Sequence, residues 1–170
     1  AARDLFMMEI PIVIPPEDQI MTNLIFDTKF HDGDKLIGSV PSNLIQFDEL
    51  NDLSQIIQSS VKASKSLEEY TLNLWKATKN PEDYNIKISG IDIQLLIISG
   101  ASPRGISMMM KTARVNAWLN NRTSVLPEDI HAIFHETMAH RLVFNPVYEL
   151  RRTEIARELS NEILNKVSAP

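Results

Sequence analysis

Apolar residues form one dense block near the start of the chain and a series of helical stripes after it. Residues 5–14 (LFMMEIPIVI) are nearly all apolar, too few for a stable isolated helix, and interrupted by Pro11. An edge or terminal strand fits such a run, because proline is tolerated in a sheet only where no ladder N–H is needed. Pro15 and Pro16 stop it. A helix is expected to begin there, with Pro16 at its first position, Glu17 and Asp18 at the positive end of its dipole, and Ile20, Met21, Leu24 and Ile25 on one face. Residues 31–43 (HDGDKLIGSVPSN) hold two glycines and a proline with little periodicity, and read as a loop with a short strand at residues 35–37.

Beyond this point the apolar period is close to that of an α-helix. Asp48 is placed to cap a helix with the face Leu50, Leu53, Ile56, Ile57 and Val61. Ser66, with Glu69 completing a capping box, opens the next, which presents Leu67, Tyr70, Leu74 and Trp75. Residues 80–90 are polar, hold Pro81 and Gly90, and read as a mobile connection. Residues 91–98 (IDIQLLII) fit a short strand or a helix start equally. Ser102 as cap and Pro103 as first helical residue make the sharpest helix start in the chain, followed by the face Ile106, Met109, Met110, Ala113, Ala117 and Trp118. Pro127, Glu128 and Asp129 open another helix, with Ile130, Ile133, Phe134 and Met138 inward. A last helix over residues 147–167 carries a narrow stripe of Ile155, Leu159, Ile163 and Val167, which suits packing on this body or on a partner.

Composition narrows the functions available. The 170 residues include no cysteine, which excludes disulfide scaffolds, thiol catalysis and thiolate metal sites. The formal net charge of -5 leaves no chain-wide basic footprint for nucleic acid. No apolar run approaches the roughly 18–20 residues of a membrane span, and no signal peptide opens the chain, so a cytoplasmic location is expected. The first residue is Ala and stands almost inside an apolar run, as expected of a piece cut from something longer.

Side-chain chemistry narrows them further. His131 and His135 stand at i and i+4, a spacing able to hold zinc, but Glu136 follows the second histidine instead of the first. His140 lies well round the helix, and no carboxylate completes a set, so no metal ligand is assigned. Asp32, Gly33 and Asp34 lack the rest of a cation loop and read as a solvated turn. There is no nucleophile elbow and no phosphate-binding loop. Arg104 is different. A cation is disfavoured in the first turn of a helix unless an anion binds beside it, where free N–H groups, the dipole and a forked guanidinium converge.

Residues 99–105 (SGASPRG), the helix through Trp118, the Pro127-Glu128-Asp129-Ile130 opening and His140-Arg141-Leu142 follow one another at the order and spacing of a known lid. Over residues 48–145 the chain resembles the lid of MoxR-family AAA+ ATPases. Ile14-Pro15-Pro16-Glu17-Asp18 is similar to the exit from that family's last core strand, and Asp4-Leu5-Phe6 occupies the register of its Asp-Arg-Phe motif, with Arg3 one place before the aspartate.

The resemblance implies a mainly α fold: an AAA+ lid-type helical bundle with a short N-terminal strand from the α/β core and a short strand pair. Residues 1–47 would be the edge of the core with its connecting loop, residues 48–145 the lid, and residues 146–170 a C-terminal helix. It implies that Arg104 is the sensor-2 residue facing the nucleotide γ-phosphate, with Ser102 and Pro103 setting the helix start; the family's candidate arginine finger falls on Leu5, a departure from the pattern, and Arg3 is the neighbouring residue able to substitute. ATP and Mg would be bound by the whole protein, with the Mg ligands upstream, leaving this segment without catalytic residues. A hexamer-like homo-oligomeric ring, protein clients and a chaperone-like role in maturing complexes follow from the same likeness. The competing readings are a non-enzymatic helical interaction module, a lid from a nucleic-acid-acting relative, and a hydrolase built on His131 and His135.

Overall fold

The structure, a computed structural model, describes residues 2–13, 16–42 and 46–170, with only the backbone of residues 2 and 3. The chain divides into two compact units. The larger comprises Ala1–Ile10 with Gln55–Pro170, and the smaller Pro11–Ser54.

The smaller unit holds α1 (Asp18–Phe26), a 3₁₀ turn at Thr28–His31, α2 (Gly33–Ser39), a second 3₁₀ turn at Phe47–Glu49, and the first residues of α3 (Leu50–Ser60). None of its described residues is buried. Helix α1 begins at Asp18, after Glu17, and not at Pro16. Its apolar face stays open, with Ile20 and Leu24 each 41% exposed. The strand expected at residues 35–37 is helix instead. Asp32, expected in a turn, accepts a hydrogen bond from the Lys35 amide at 3.2 Å and so caps α2. Asp48 lies inside the 3₁₀ turn that leads into α3 and does not cap it.

The larger unit is a helical bundle. Helix α4 (Lys65–Lys79) is capped by Ser64, whose hydroxyl accepts from the Leu67 amide, so Ser66 falls inside the helix and the Ser66–Glu69 capping box does not form. Residues 80–90 are pinned, not a loose connector: Pro81, Ile86 and Ile88 are buried, and Asn85 and Gly90 turn the backbone at φ 55° and 71°. Both readings of residues 91–98 hold in part, as α5 (Ile93–Leu96) runs directly into β1 (Ile97–Ser99). That strand pairs antiparallel with β2 (Val143–Phe144), Ile97 opposite Phe144.

Helix α6 (Pro103–Leu119) buries Gly105, Met109, Ala113 and Ala117, a stripe spaced by four with small residues at three of its positions, so neighbouring helices approach closely. Trp118 falls outside it and is 40% exposed. The expected helix after Pro127 is broken into α7 (Pro127–His131) and α8 (Phe134–Met138), with Ile133 at φ -129° and ψ 0° between them. At the start of α7 the Asp129 carboxylate accepts the Leu126 amide at 2.9 Å, which stands in for the side-chain cap a leucine cannot provide. Asp129 is fully buried and is neutralised by Arg122, with contacts of 2.6 and 2.7 Å, and by the Asn116 amide at 2.8 Å. A 3₁₀ stretch at Pro146–Arg151 precedes α9 (Arg152–Lys166), so the last helix starts later than residue 147. Its stripe of Ile155, Leu159, Ile163 and Val167 is buried against α4 and α8 of the same unit.

The strand expected over residues 5–14 is not formed in residues 5–13, and Ile14 and Pro15 lie outside the described residues. A 3₁₀ turn at Ala2–Leu5 gives way to irregular chain. Among the described residues β1 and β2 pair with each other, and this segment pairs with neither. Its amides and carbonyls find other partners: Glu9 N–H donates to the Glu136 carbonyl at 2.8 Å, and the Phe6 and Met7 carbonyls accept from Arg141.

Candidate functional site

The segment from Gly100 to Gly105 is held on two sides. Towards α4, the Trp75 indole N–H donates to the Ala101 carbonyl at 2.7 Å, and the Ala101 amide donates to Thr78 Oγ1 at 3.3 Å. The Lys79 ammonium stands 3.9 Å from the Trp75 ring centroid, a cation–π pair. Gly100 is pressed so closely to α4 that a Cβ there would lie 2.6 Å from Lys79 Cγ, 2.7 Å from the Thr78 carbonyl oxygen and 2.8 Å from Lys79 Cα. Only glycine allows that approach.

On the other side stands Asp4. The Ser102 hydroxyl accepts from the Gly105 amide at 3.1 Å, capping α6 as expected, and donates to the Asp4 carboxylate oxygens at 2.9 and 3.0 Å. Arg141 completes the group. Its side chain is wholly buried, with Nε 3.1 Å from Asp4 Oδ1. Its terminal nitrogens donate to the Thr137 carbonyl at 2.6 Å and to the Phe6 carbonyl, and meet Met108 Sδ at 2.9 Å. His140 Nε2 lies against Arg141 Nη1 and 3.2 Å from the Phe6 carbonyl. Burial lowers the His140 pKa, the Arg141 charge acting in the same direction. Burial also lowers that of Arg141, opposed by Asp4.

Arg104 stands in the exposed first turn of α6, and among the described residues its guanidinium meets no acceptor. The anion expected at the end of this helix is in part supplied internally, since the Asp4 carboxylate already takes the Ser102 hydroxyl. What is left for an external anion is the Arg104 fork. Pro103 is likewise exposed and fixes the backbone from which that fork projects. The Arg3 side chain, the candidate substitute for the finger, lies outside the described residues.

The histidines are not gathered. His131 Nε2 is 2.7 Å from the Tyr70 hydroxyl, whose pKa burial raises to about 12. His135 Nδ1 is 3.1 Å from Ser160 Oγ, and its pKa is lowered by burial and by Arg157. Sequence reasoning missed the joining of Asp4 to Arg141. Both stood in motifs that were legible, Asp4-Leu5-Phe6 and His140-Arg141-Leu142, but 136 residues of intervening chain gave no sign that they meet.

Residues 91–165 match the AAA lid domain family. The protein MoxR of Methylorubrum extorquens is 39% identical over 170 residues, covering all of this chain and 50% of its own length. The chaperone MoxR1 of Mycobacterium tuberculosis is 26% identical over 174 residues, again covering the whole chain and 42% of its own length. The chain thus spans about half the length of the curated relatives it matches. A crystal structure of a Cytophaga hutchinsonii protein superposes with a TM-score of 0.76 at 26% identity, over 98% of this chain and 47% of that one. Residues 91–165 thus carry an AAA lid domain, and the chain as a whole is similar to the MoxR proteins of the AAA+ class.

Proposed function

We propose that this chain is the C-terminal, lid-bearing part of an ATPase and that Arg104 is its phosphate sensor. The exposure of Arg104 at the start of a firmly anchored helix carries this reading. A guanidinium matches phosphate oxygens with paired, charge-assisted hydrogen bonds. The surroundings suit that task, because the segment bearing Arg104 is tied to α4 through Trp75 and Thr78 and to Asp4 through Ser102. A contact made with a triphosphate and lost with a diphosphate favours one lid placement over the other by the difference in contact energy.

ATP and Mg fit this picture as ligands of the whole protein. This segment supplies Arg104, and the phosphate loop and the metal-binding acid belong to the rest of the ATPase. Hydrolysis of the terminal phosphoanhydride is the chemistry bound ATP supplies. The segment's own part is to orient and to report. A homo-oligomeric ring acting on protein clients in a chaperone-like role, in the cytoplasm, extends the reading. The name of the mycobacterial relative supports the chaperone role, and the net charge of -5 favours protein over nucleic acid as the client. Among the described residues no helix is long and apolar enough to cross a membrane.

The test is Arg104→Ala in the full-length protein. ATP turnover falls while the melting temperature stays within about 2 °C of wild type, as for other exposed substitutions. Wild-type turnover in that variant would remove the sensor assignment.

A further inference from the structure

We propose that Asp4 is a positioning residue for Arg104: its carboxylate, clamped between the Ser102 hydroxyl and the Arg141 guanidinium, sets the attitude of the first turn of α6 and so the direction of the Arg104 fork. The proposal rests on Arg104 being the phosphate sensor.

Arg141 cannot yield easily. It is held by carbonyls from two separate segments, Phe6 on one and Thr137 on the other, by Met108 Sδ from α6, and by the Asp4 carboxylate. A buried guanidinium with that many fixed acceptors is an anchor, and Asp4 is the counter-charge it holds. Asp4 passes the constraint to Ser102, which donates to it and accepts from the Gly105 amide through the same oxygen. Donation to a carboxylate polarises the hydroxyl and strengthens its acceptance of the helix amide. The negative charge at this end of α6 also matches the helix dipole.

The steric fit is close. A Cβ at Gly105 would lie 2.5 Å from Arg141 Cδ, so the first turn of α6 rests directly on the arginine stem. The α4 side tethers only Ala101, ahead of the cap. Without Asp4 the Ser102 cap loses its acceptor, and the turn bearing Arg104 is aligned less closely than the packed body of α6 behind it. Asp4 lies within residues 1–10, which among the described residues are held to the rest of the larger unit through Asp4, Phe6, Met7 and Glu9. A shift in that segment is therefore felt at Arg104.

The experiment uses the full-length ATPase, with kcat and KM for ATP and the melting temperature measured for Asp4→Asn, Asp4→Glu, Ser102→Ala, Arg104→Ala and Asp4→Asn with Arg104→Ala. Asp4→Asn is expected to lower kcat roughly tenfold, as misplacement of a positioned group does. Asp4→Glu recovers part of that loss by restoring the charge, and Asp4→Asn adds no loss on the Arg104→Ala background. Ser102→Ala leaves the Asp4–Arg141 pair intact, so it tests the link even if Asp4→Asn folds poorly, and it lowers kcat in the same direction. Wild-type kcat in both Asp4→Asn and Ser102→Ala, beside an impaired Arg104→Ala, overturns the positioning role and leaves the sensor standing. So does a loss in the double variant equal to the product of the two single losses. Wild-type turnover in Arg104→Ala overturns the sensor reading and the positioning role together.

Discussion

Gly100→Ala places one methyl group where the structure has no room. The new Cβ meets Lys79 Cγ at 2.6 Å, the Thr78 carbonyl oxygen at 2.7 Å and Lys79 Cα at 2.8 Å. Ordinary contact begins near 3.5 Å, so the loop must lift from α4 by most of an ångström. Two of the three obstacles are main-chain atoms of a 15-residue helix and cannot swing aside. Overpacking of this kind costs about 1–3 kcal/mol. Lifting the loop also stretches the bonds from Trp75 to the Ala101 carbonyl and from the Ala101 amide to Thr78, each worth about 1 kcal/mol. Against this, alanine restricts the unfolded chain and returns about 0.4–1 kcal/mol. The balance is a loss of about 2–3 kcal/mol, or roughly 5–10 °C in melting temperature for a chain of this size. Urea denaturation followed by far-UV circular dichroism measures it. A variant within about 0.5 kcal/mol of wild type, with an unchanged m-value, would show that the loop is not pressed on α4 in the way described.

Ser64→Ala should cost about 1 kcal/mol by removing the cap of α4, whereas Ser66→Ala should stay within about 0.5 kcal/mol; paired denaturation curves separate the two sites. Asp129→Asn leaves Arg122 without its buried counter-charge and turns an amide towards donors, for a loss of about 2–4 kcal/mol in the same assay. His135 and His140 both have folded pKa values below the usual 6.5, chiefly from burial. The unfolded chain therefore binds protons first, and the stability these groups contribute is present above about pH 6.5 and lost as pH falls through their lowered folded values. The melting temperature should fall over that window and fall less in a His135→Gln, His140→Gln variant; an identical decline in both proteins would contradict it.

Helix starts with strong local chemistry were legible in the sequence. Ser102 and Pro103 open α6 because cap and first-turn geometry are decided within four residues, and the stripe of α9 shows its buried face directly. Expectations failed where two local choices were close. Ser64 and Ser66 both offer a hydroxyl, and tertiary packing selects the residue that puts Leu67 and Tyr70 inside. Residues 5–13 have the composition of a strand, but a strand also needs a neighbour, and a run of apolar residues cannot supply one. The candidate site divides along the same line. Arg104 stood out because a cation in the first turn of a helix is anomalous in itself. Asp4 carried no local anomaly, and its meaning depends on where Arg141 folds back to meet it.

The tight seating of Gly100 and Gly105 also bears on mechanics. With 17 residues, α6 is about 25 Å long at the usual rise per residue. A joint that cannot flex at its loaded end makes such a helix a lever. If a pull at Arg104 tilts it by roughly 5°, the Leu119 end sweeps through about 2 Å, comparable to interface shifts that switch assemblies. A slack hinge at residues 99–102 would dissipate the same pull within the loop. The absence of a side chain at Gly100, usually a source of looseness, here makes the coupling stiff.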